Sequence, residues 1–210
     1  MIIDIIITID FIKLSIQIKS FFSIFSFILS LPNNLEEIKS FSFYGRIGYD
    51  AAGAIAGVEE LRLGKNIKKI HAYSGLCGDN VYFGGNLSDW CNIEFTEEIT
   101  PGSFVNNYEG GWNPFHYPTS IVRDKLFIEN KELIDVVIPE DITEIKQYTF
   151  TTLKSLNTLD FNNVVGINKN AFEGCTGLTS IDLKNVQTIG DSAFEGCTGL
   201  TSIDLKNVQT

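Results

Sequence analysis

The four cysteines and two histidines of this 210-residue chain are the residues best suited to nucleophilic or metal chemistry near neutral pH. Cys77, Cys91, Cys175 and Cys197 contain no Cys-x-x-Cys pair, so their spacing is neither a zinc knuckle nor a small disulfide scaffold. A thiol nucleophile would require Cys91 beside His71 or His116, because a base must take its proton and be held in turn by a third group. No local pattern imposes that meeting, and packing beside Trp90 is the simpler reading of Cys91. Cys175 and Cys197 stand 22 residues apart in identical surroundings. They read as small buried hydrophobes, with a redox pair as the alternative. The run 51–57, with Gly53 and Gly57, lacks the Lys-Ser/Thr of a phosphate loop and the strand-then-GxGxxG order of a dinucleotide site. It reads as a connection. No catalytic residue, metal or cofactor is assigned, and the chain is expected not to be an enzyme.

Binding is a better match to the remaining residues. The stretch 102–118 is rich in Gly, Asn, Pro and aromatics, and its Trp112 and Tyr117 are candidate partner-binding residues. Aromatic faces give large contact area at low entropic cost, although such a loop can equally fold onto its own module. The charge narrows the partners. Sixteen Lys and Arg against 26 Asp and Glu give a net charge of −10, with no basic stripe to neutralise phosphates, so nucleic acid is excluded as an expected partner.

The elements that must position these residues follow from hydrophobic spacing. Residues 1–31 are strongly apolar, but Asp10, Lys13, Gln17 and Lys19 break any window long enough for a membrane helix. Asp4 and Asp10 occupy the place of a positive signal-peptide start. Between 11 and 19, Ile12, Leu14, Ile16 and Ile18 alternate with Lys13, Ser15, Gln17 and Lys19, the period of a half-buried strand. An atypical signal or anchor, or an artefactual start of the reading frame, are the alternatives.

Internal repetition decides the fold. Residues 171–188 and 193–210 are the same eighteen letters, AFEGCTGLTSIDLKNVQT, at a period of 22. Phe150, Phe172 and Phe194 share that period. Leu178, Ile181, Leu183, Val186 and Ile189 match Leu156, Leu159, Phe161, Val164 and Ile167 one unit earlier. Leu133, Val136, Ile138, Ile142 and Ile145 form a further copy. Val58, Leu61, Leu63, Ile67, Ile70 and Tyr73 form an earlier one, and Leu29, Leu31, Leu35, Ile38 and Phe43 a degraded one. In L-x-x-I-x-L two apolar positions two residues apart lie on one face of a strand, and so short a strand must stack on its neighbours. Thr151-Thr152-Leu153 replaces the Gly-Cys turn of later units.

The segment from Ile189-Gly190 through Ala193-Phe194-Glu195-Gly196-Cys197 to Leu200, Ile203 and Leu205 resembles the leucine-rich repeats of BspA-like surface proteins. Val81-Tyr82-Phe83-Gly84-Gly85 and Leu87-Ser88-Asp89-Trp90-Cys91 are similar to a module interspersed among such repeats. The resemblance implies a right-handed leucine-rich-repeat solenoid, mostly β and turns with short helical segments, interrupted by an insert module. The expected organisation is an N-terminal apolar strand region or atypical signal or anchor at 1–24, degenerate repeats at 25–79, the insert at 80–126, and regular repeats at 127–210. The resemblance further implies a non-enzymatic surface for protein binding or cell adhesion, an extracellular or cell-surface setting, and a protein or cell-surface ligand. An enzyme or carbohydrate-binding module seated in the insert, or a gene fragment without autonomous function, are the rival readings.

Within the repeats, the residue between the two apolar strand positions is expected to face outward. It is Arg62, Val137, Asp160, Asp182 and Asp204 in successive units. Three neighbouring aspartates need Lys184 and Lys206, or a cation, to offset their repulsion. Asp160, Asp182 and Asp204 therefore join the candidate partner-binding residues. Nothing before Thr210 resembles a cap, so residues 199–210 are expected to fray or to associate end to end, with the natural chain continuing further.

Overall fold

A computed structural model describes residues 2–9, 12–21, 24–39, 58–71, 76–97 and 121–209. Trp112, Tyr117, His116, Phe43, Tyr73 and the glycine run 51–57 lie outside the described residues. The chain opens with β1 (Ile2–Ile9), β2 (Ile12–Phe21), β3 (Ile24–Ser30) and the short β4 (Glu37–Ile38). Next come β5 (Val58–Leu63), β6 (Lys69–His71), β7 (Gly78–Phe83), the helical turn α1 (Leu87–Cys91) and β8 (Glu94–Thr96). A hairpin of β9 (Val122–Ile128) and β10 (Lys131–Glu132) follows. The remaining strands have two or three residues each: β11 (Asp135–Val137), β12 (Glu144–Ile145), β13 (Thr158–Asp160), β14 (Gly166–Ile167), β15 (Ser180–Asp182) and β16 (Thr188–Ile189).

These strands make one sheet ordered β1-β2-β3-β5-β7-β9-β10 and three small parallel sheets, β4-β6-β8, β11-β13-β15 and β12-β14-β16. The first three strands are an antiparallel meander; β3, β5, β7 and β9 are then parallel neighbours. Register follows the apolar positions. Leu29 lies beside Leu61, Leu61 beside Val81 and Val81 beside Leu126, all buried. In the second sheet Ile38, Ile70 and Phe95 align in the same way, so β3, β5 and β7 each have a return strand that closes the core beneath them.

The alternation of 12–18 is realised as β2. The stretch 80–126 is continuous with the repeats at both ends, since β7 and β9 are adjacent in one sheet and β8 extends the other. Its α1 starts with a capping box. The Asn86 side chain accepts from the Asp89 amide at 2.8 Å, and the Asp89 carboxylate accepts from the Asn86 amide at 3.0 Å. Trp90 is thereby held edge-on between Phe83 and Phe95, and its indole N–H donates to the Thr149 carbonyl at 2.9 Å. That bond ties the earlier units to the later ones. Between them Glu129 and Asn130, both at positive φ, form the tight hairpin turn that reverses direction from β9 to β10.

In the later units Phe150, Phe172 and Phe194 stack with ring centroids 5.3 Å apart and planes within 12° of parallel. Phe150 and Phe172 are buried, and Phe194 is half-buried. The backbone repeats as faithfully as the side chains. Tyr148, Asn170 and Ser192 have φ of 62°, 56° and 55°, and Thr152, Gly174 and Gly196 have 61°, 73° and 72°. The turn at 151–153 is thus kept without its glycine. Thr152 takes the left-handed conformation because its amide donates to the Glu173 carbonyl at 2.7 Å, as Gly174 does to Glu195, and its hydroxyl donates to the Val122 carbonyl. The last unit departs from the pattern. Residues 202–204 form no strand, and Ile203 and Leu205 are 40% and 51% exposed, where Leu183 is 5%.

Two substitutions test the stack. Replacing Phe172 with Ala should cost about 3 to 5 kcal/mol in urea unfolding, the usual loss for a fully buried aromatic. At Gly177 an added Cβ would overlap the Lys154 carbonyl oxygen, so Gly177→Ala should cost about 1 to 3 kcal/mol. An unchanged midpoint for either would mean that the units do not approach as described.

Candidate functional site: the outward faces of the sheets

Strand alternation sends Leu61, Val81 and Leu126 inward and leaves Arg62, Tyr82 and Phe127 on the outward side, in register with one another. Tyr82 and Phe127 stack at 4.5 Å and 12°, and the Arg62 guanidinium lies 4.8 Å from the centre of the Tyr82 ring. Around this column lie the ion pairs Arg62–Glu60 at 2.7 Å, Arg123–Asp79 at 3.1 Å and Lys125–Glu132 at 3.3 Å. Arg62 had been expected outward. Tyr82 and Phe127 are not among the residues expected outward: Tyr82 falls in the expected insert and Phe127 at the start of the regular repeats. The signal that exposes them is a single residue between two apolar ones, in Val81-Tyr82-Phe83 and Leu126-Phe127-Ile128.

On β11, β13 and β15 the corresponding row is Val137, Asp160 and Asp182. Val137 is 61% exposed. The structure brings Asp160 and Asp182 side by side, whereas Asp204 lies outside any strand. Each aspartate turns back on its own chain. Asp160 accepts from the Asn162 amide at 2.9 Å, Asp182 from the Lys184 amide at 3.0 Å, and Asp204 from the Lys206 amide at 3.2 Å. Lys184 reaches Asp182 at 3.5 Å and Lys206 reaches Asp204 at 2.7 Å. The Lys206 ammonium holds the Asp204 carboxyl below its usual range. Lys184 and Lys206 thus partner Asp182 and Asp204 but not Asp160, and among the described residues no group of three or more His, Cys, Asp or Glu could hold a metal ion.

An open polar groove of about 670 Å³ runs along the turns of the later units. Two ladders line it. Asn163, Asn185 and Asn207 each donate to a backbone carbonyl of the unit before, at 3.0, 2.5 and 2.7 Å. Thr143, Val165, Gln187 and Gln209 form the other wall through backbone bonds such as Gln209 N to Gln187 O at 2.7 Å.

The titratable groups are used structurally. His71 is buried and its Nε2 lies 2.6 Å from Glu37 Oε1. Glu97 accepts from the Tyr148 hydroxyl and, at 2.8 Å, from Lys169, and the lysine keeps its carboxyl below the usual range. All four cysteines are free thiols. The Cys175 and Cys197 sulfurs donate to the Phe150 and Phe172 carbonyls at 3.0 and 3.1 Å, and burial pushes the Cys175 thiol well up. Cys91 is buried behind α1. Burial, with a smaller contribution from the Asp141 carboxylate, pushes its thiol up to about 12, which suppresses the thiolate a nucleophile needs.

Short parallel strands repeated once per unit, with little helix, define a leucine-rich-repeat-like protein. The comparison with known families agrees: residues 120–210 match the BspA type leucine rich repeat region in six copies, so this part of the chain carries repeats of that type. No curated protein and no solved structure matches the chain. No helix among the described residues is long and apolar enough to cross a membrane.

The raised thiol of Cys91 sets a testable pH dependence. Up to about pH 9 both folded and unfolded states keep the proton and the contribution to stability is full. Between about 9 and 12 only the unfolded state ionises, so stability should fall by up to about 1.4 kcal/mol per pH unit for this thiol. Urea titrations from pH 8 to 10.5 should show less of that fall in Cys91→Ala, and identical slopes would contradict the assignment.

Proposed function

We propose that this chain is a right-handed leucine-rich-repeat solenoid that acts without catalysis, presenting an extended surface to a protein partner at the cell surface, with adhesion as its role. The observation that carries this reading is the outward row: Arg62, Tyr82 and Phe127 on one sheet, Val137, Asp160 and Asp182 on another, each residue about one strand spacing, roughly 4.8 Å, from the next. Rows of this kind place different residue types at fixed intervals over several units, which suits an extended protein ligand better than a small substrate. The match to a repeat family of surface and protein-interaction type supports the same conclusion.

In this reading the apolar region 1–24 leads into degenerate repeats at 25–79, and 127–210 is the regular array. The insert of 80–126 then carries Trp112 and Tyr117 as further contact residues. Because the last two units share eighteen residues, a further unit of the same sequence on another copy would dock on residues 199–209 in the same register, giving end-to-end association.

Binding to intact cells and to immobilised cell-surface glycoproteins tests the proposal. Val137→Glu and Tyr82→Ala should each weaken binding by about tenfold or more, the effect of losing a central contact. Gln187→Ala, on the groove wall, should leave it unchanged. Equal binding by all four proteins, or binding by none, would overturn the assignment of the outward row.

A further inference from the structure

The cysteines of the last two units stand in one column with Leu153, which holds the place after Phe150 that Cys175 and Cys197 hold after Phe172 and Phe194. Units approach closely here. Phe172 and Phe194 stack at 5.3 Å with planes 4° apart, the Phe172 and Gly174 amides donate to the Ala193 and Glu195 carbonyls at 2.8 and 2.7 Å, and a Cβ added to Gly196 would sit 3.5 Å from the Gly174 Cα. The next residue in each unit is the cysteine. One strand spacing, roughly 4.8 Å, separates such positions, inside the range of about 4.4 to 6.8 Å between the Cα atoms of a disulfide. The two sulfurs lie within hydrogen-bonding reach of each other. Leu153 and Cys175 are fully buried, whereas Cys197 is 8% exposed.

We propose that Cys175 and Cys197 are a dithiol that small-molecule disulfides oxidise to a cystine, tying one unit to the next. Cys197 reacts first. It alone of the pair reaches the surface, and the Cys175 S–H donates to it, which lowers its thiol from the ordinary value and supplies the thiolate that exchange requires. That thiolate attacks one sulfur of the small disulfide, a mixed disulfide forms, and one small thiolate leaves. Cys175, which burial keeps protonated until then, gives up its proton as it attacks the Cys197 sulfur and expels the second small thiolate. Two protein thiols are thereby oxidised, one small disulfide is reduced to two thiols, and the two cysteine protons end on the departing thiolates. The carbonyls that the S–H groups serve are not orphaned by their loss. Phe150 O still accepts from the Leu153 amide and Phe172 O from the Cys175 amide, each at 3.1 Å.

This inference does not rest on the protein-binding proposal, and the full chain in its folded state tests it. After incubation with excess oxidised glutathione at about pH 8, non-reducing tryptic mapping should join peptide 170–184 to peptide 185–206 and find Cys91 still free. Cys175→Ser removes the second step and should leave Cys197 carrying a glutathionyl group. Cys197→Ser should leave Cys175 unmodified. The oxidised parent should also unfold at higher urea than the reduced one, since closing a loop of about 22 residues favours the folded state by on the order of 100-fold. Should either serine variant fail to fold, the linkage map of the parent decides alone. Cys175 and Cys197 both free after this treatment, a Cys197 that stops at the mixed disulfide in the parent, a link from either to Cys77, Cys91 or a second copy, or a linkage that forms only in urea would overturn the proposal.

Discussion

The apolar side of a three-residue strand such as β13 stays wet unless another strand lies one hydrogen-bond spacing away with an apolar residue at the same register. Every unit of this protein depends on that contact. Leu159 is buried because Val136 and Ile181 flank it, and Ile167 because Ile145 and Ile189 do. The Phe150–Phe172–Phe194 column follows the same rule in the turns, where the rings stack flat against one another. A unit on its own has no core. The core is a property of neighbours, and it runs continuously from Leu29 to Cys197.

Backbone polar groups impose the second requirement, because a chain wound this tightly buries amides and carbonyls that must find partners. Successive units supply them. The Phe150 amide bonds Ala171, and the Phe172 amide bonds Ala193. Thiols at Cys175 and Cys197 and carboxamides at Asn163, Asn185 and Asn207 serve carbonyls of the preceding unit. Cys175 and Cys197, two of the thiols that a reactive reading would single out, are therefore employed in holding units together. Outward positions carry no such duty. Arg62, Tyr82, Phe127, Val137 and Asp182 can vary without disturbing the stack, and a binding surface can be written there residue by residue.

Periodicity in the sequence was enough to determine the repeat unit, its strand positions and the aromatic column, because stacking forces inward residues to recur at one spacing. The alternation of 12–18 likewise announced β2 through its own period of two. Contacts between residues far apart in the chain carry no such period. That Trp90 donates to Thr149, that Glu97 joins Tyr148 to Lys169, and that Thr152 holds a glycine's conformation were decided by tertiary structure alone. So was the alignment of Tyr82 with Phe127, whose units are separated by the long connection between β8 and β9. The aspartates show the same division: spacing put Asp160, Asp182 and Asp204 at equivalent positions, but only the folded chain turned each carboxylate back onto the amide two residues on and left Asp204 outside the sheet. A repeat encodes what every unit must do to be buried, whereas the orientation of an exposed side chain is settled by whichever local donor reaches it first.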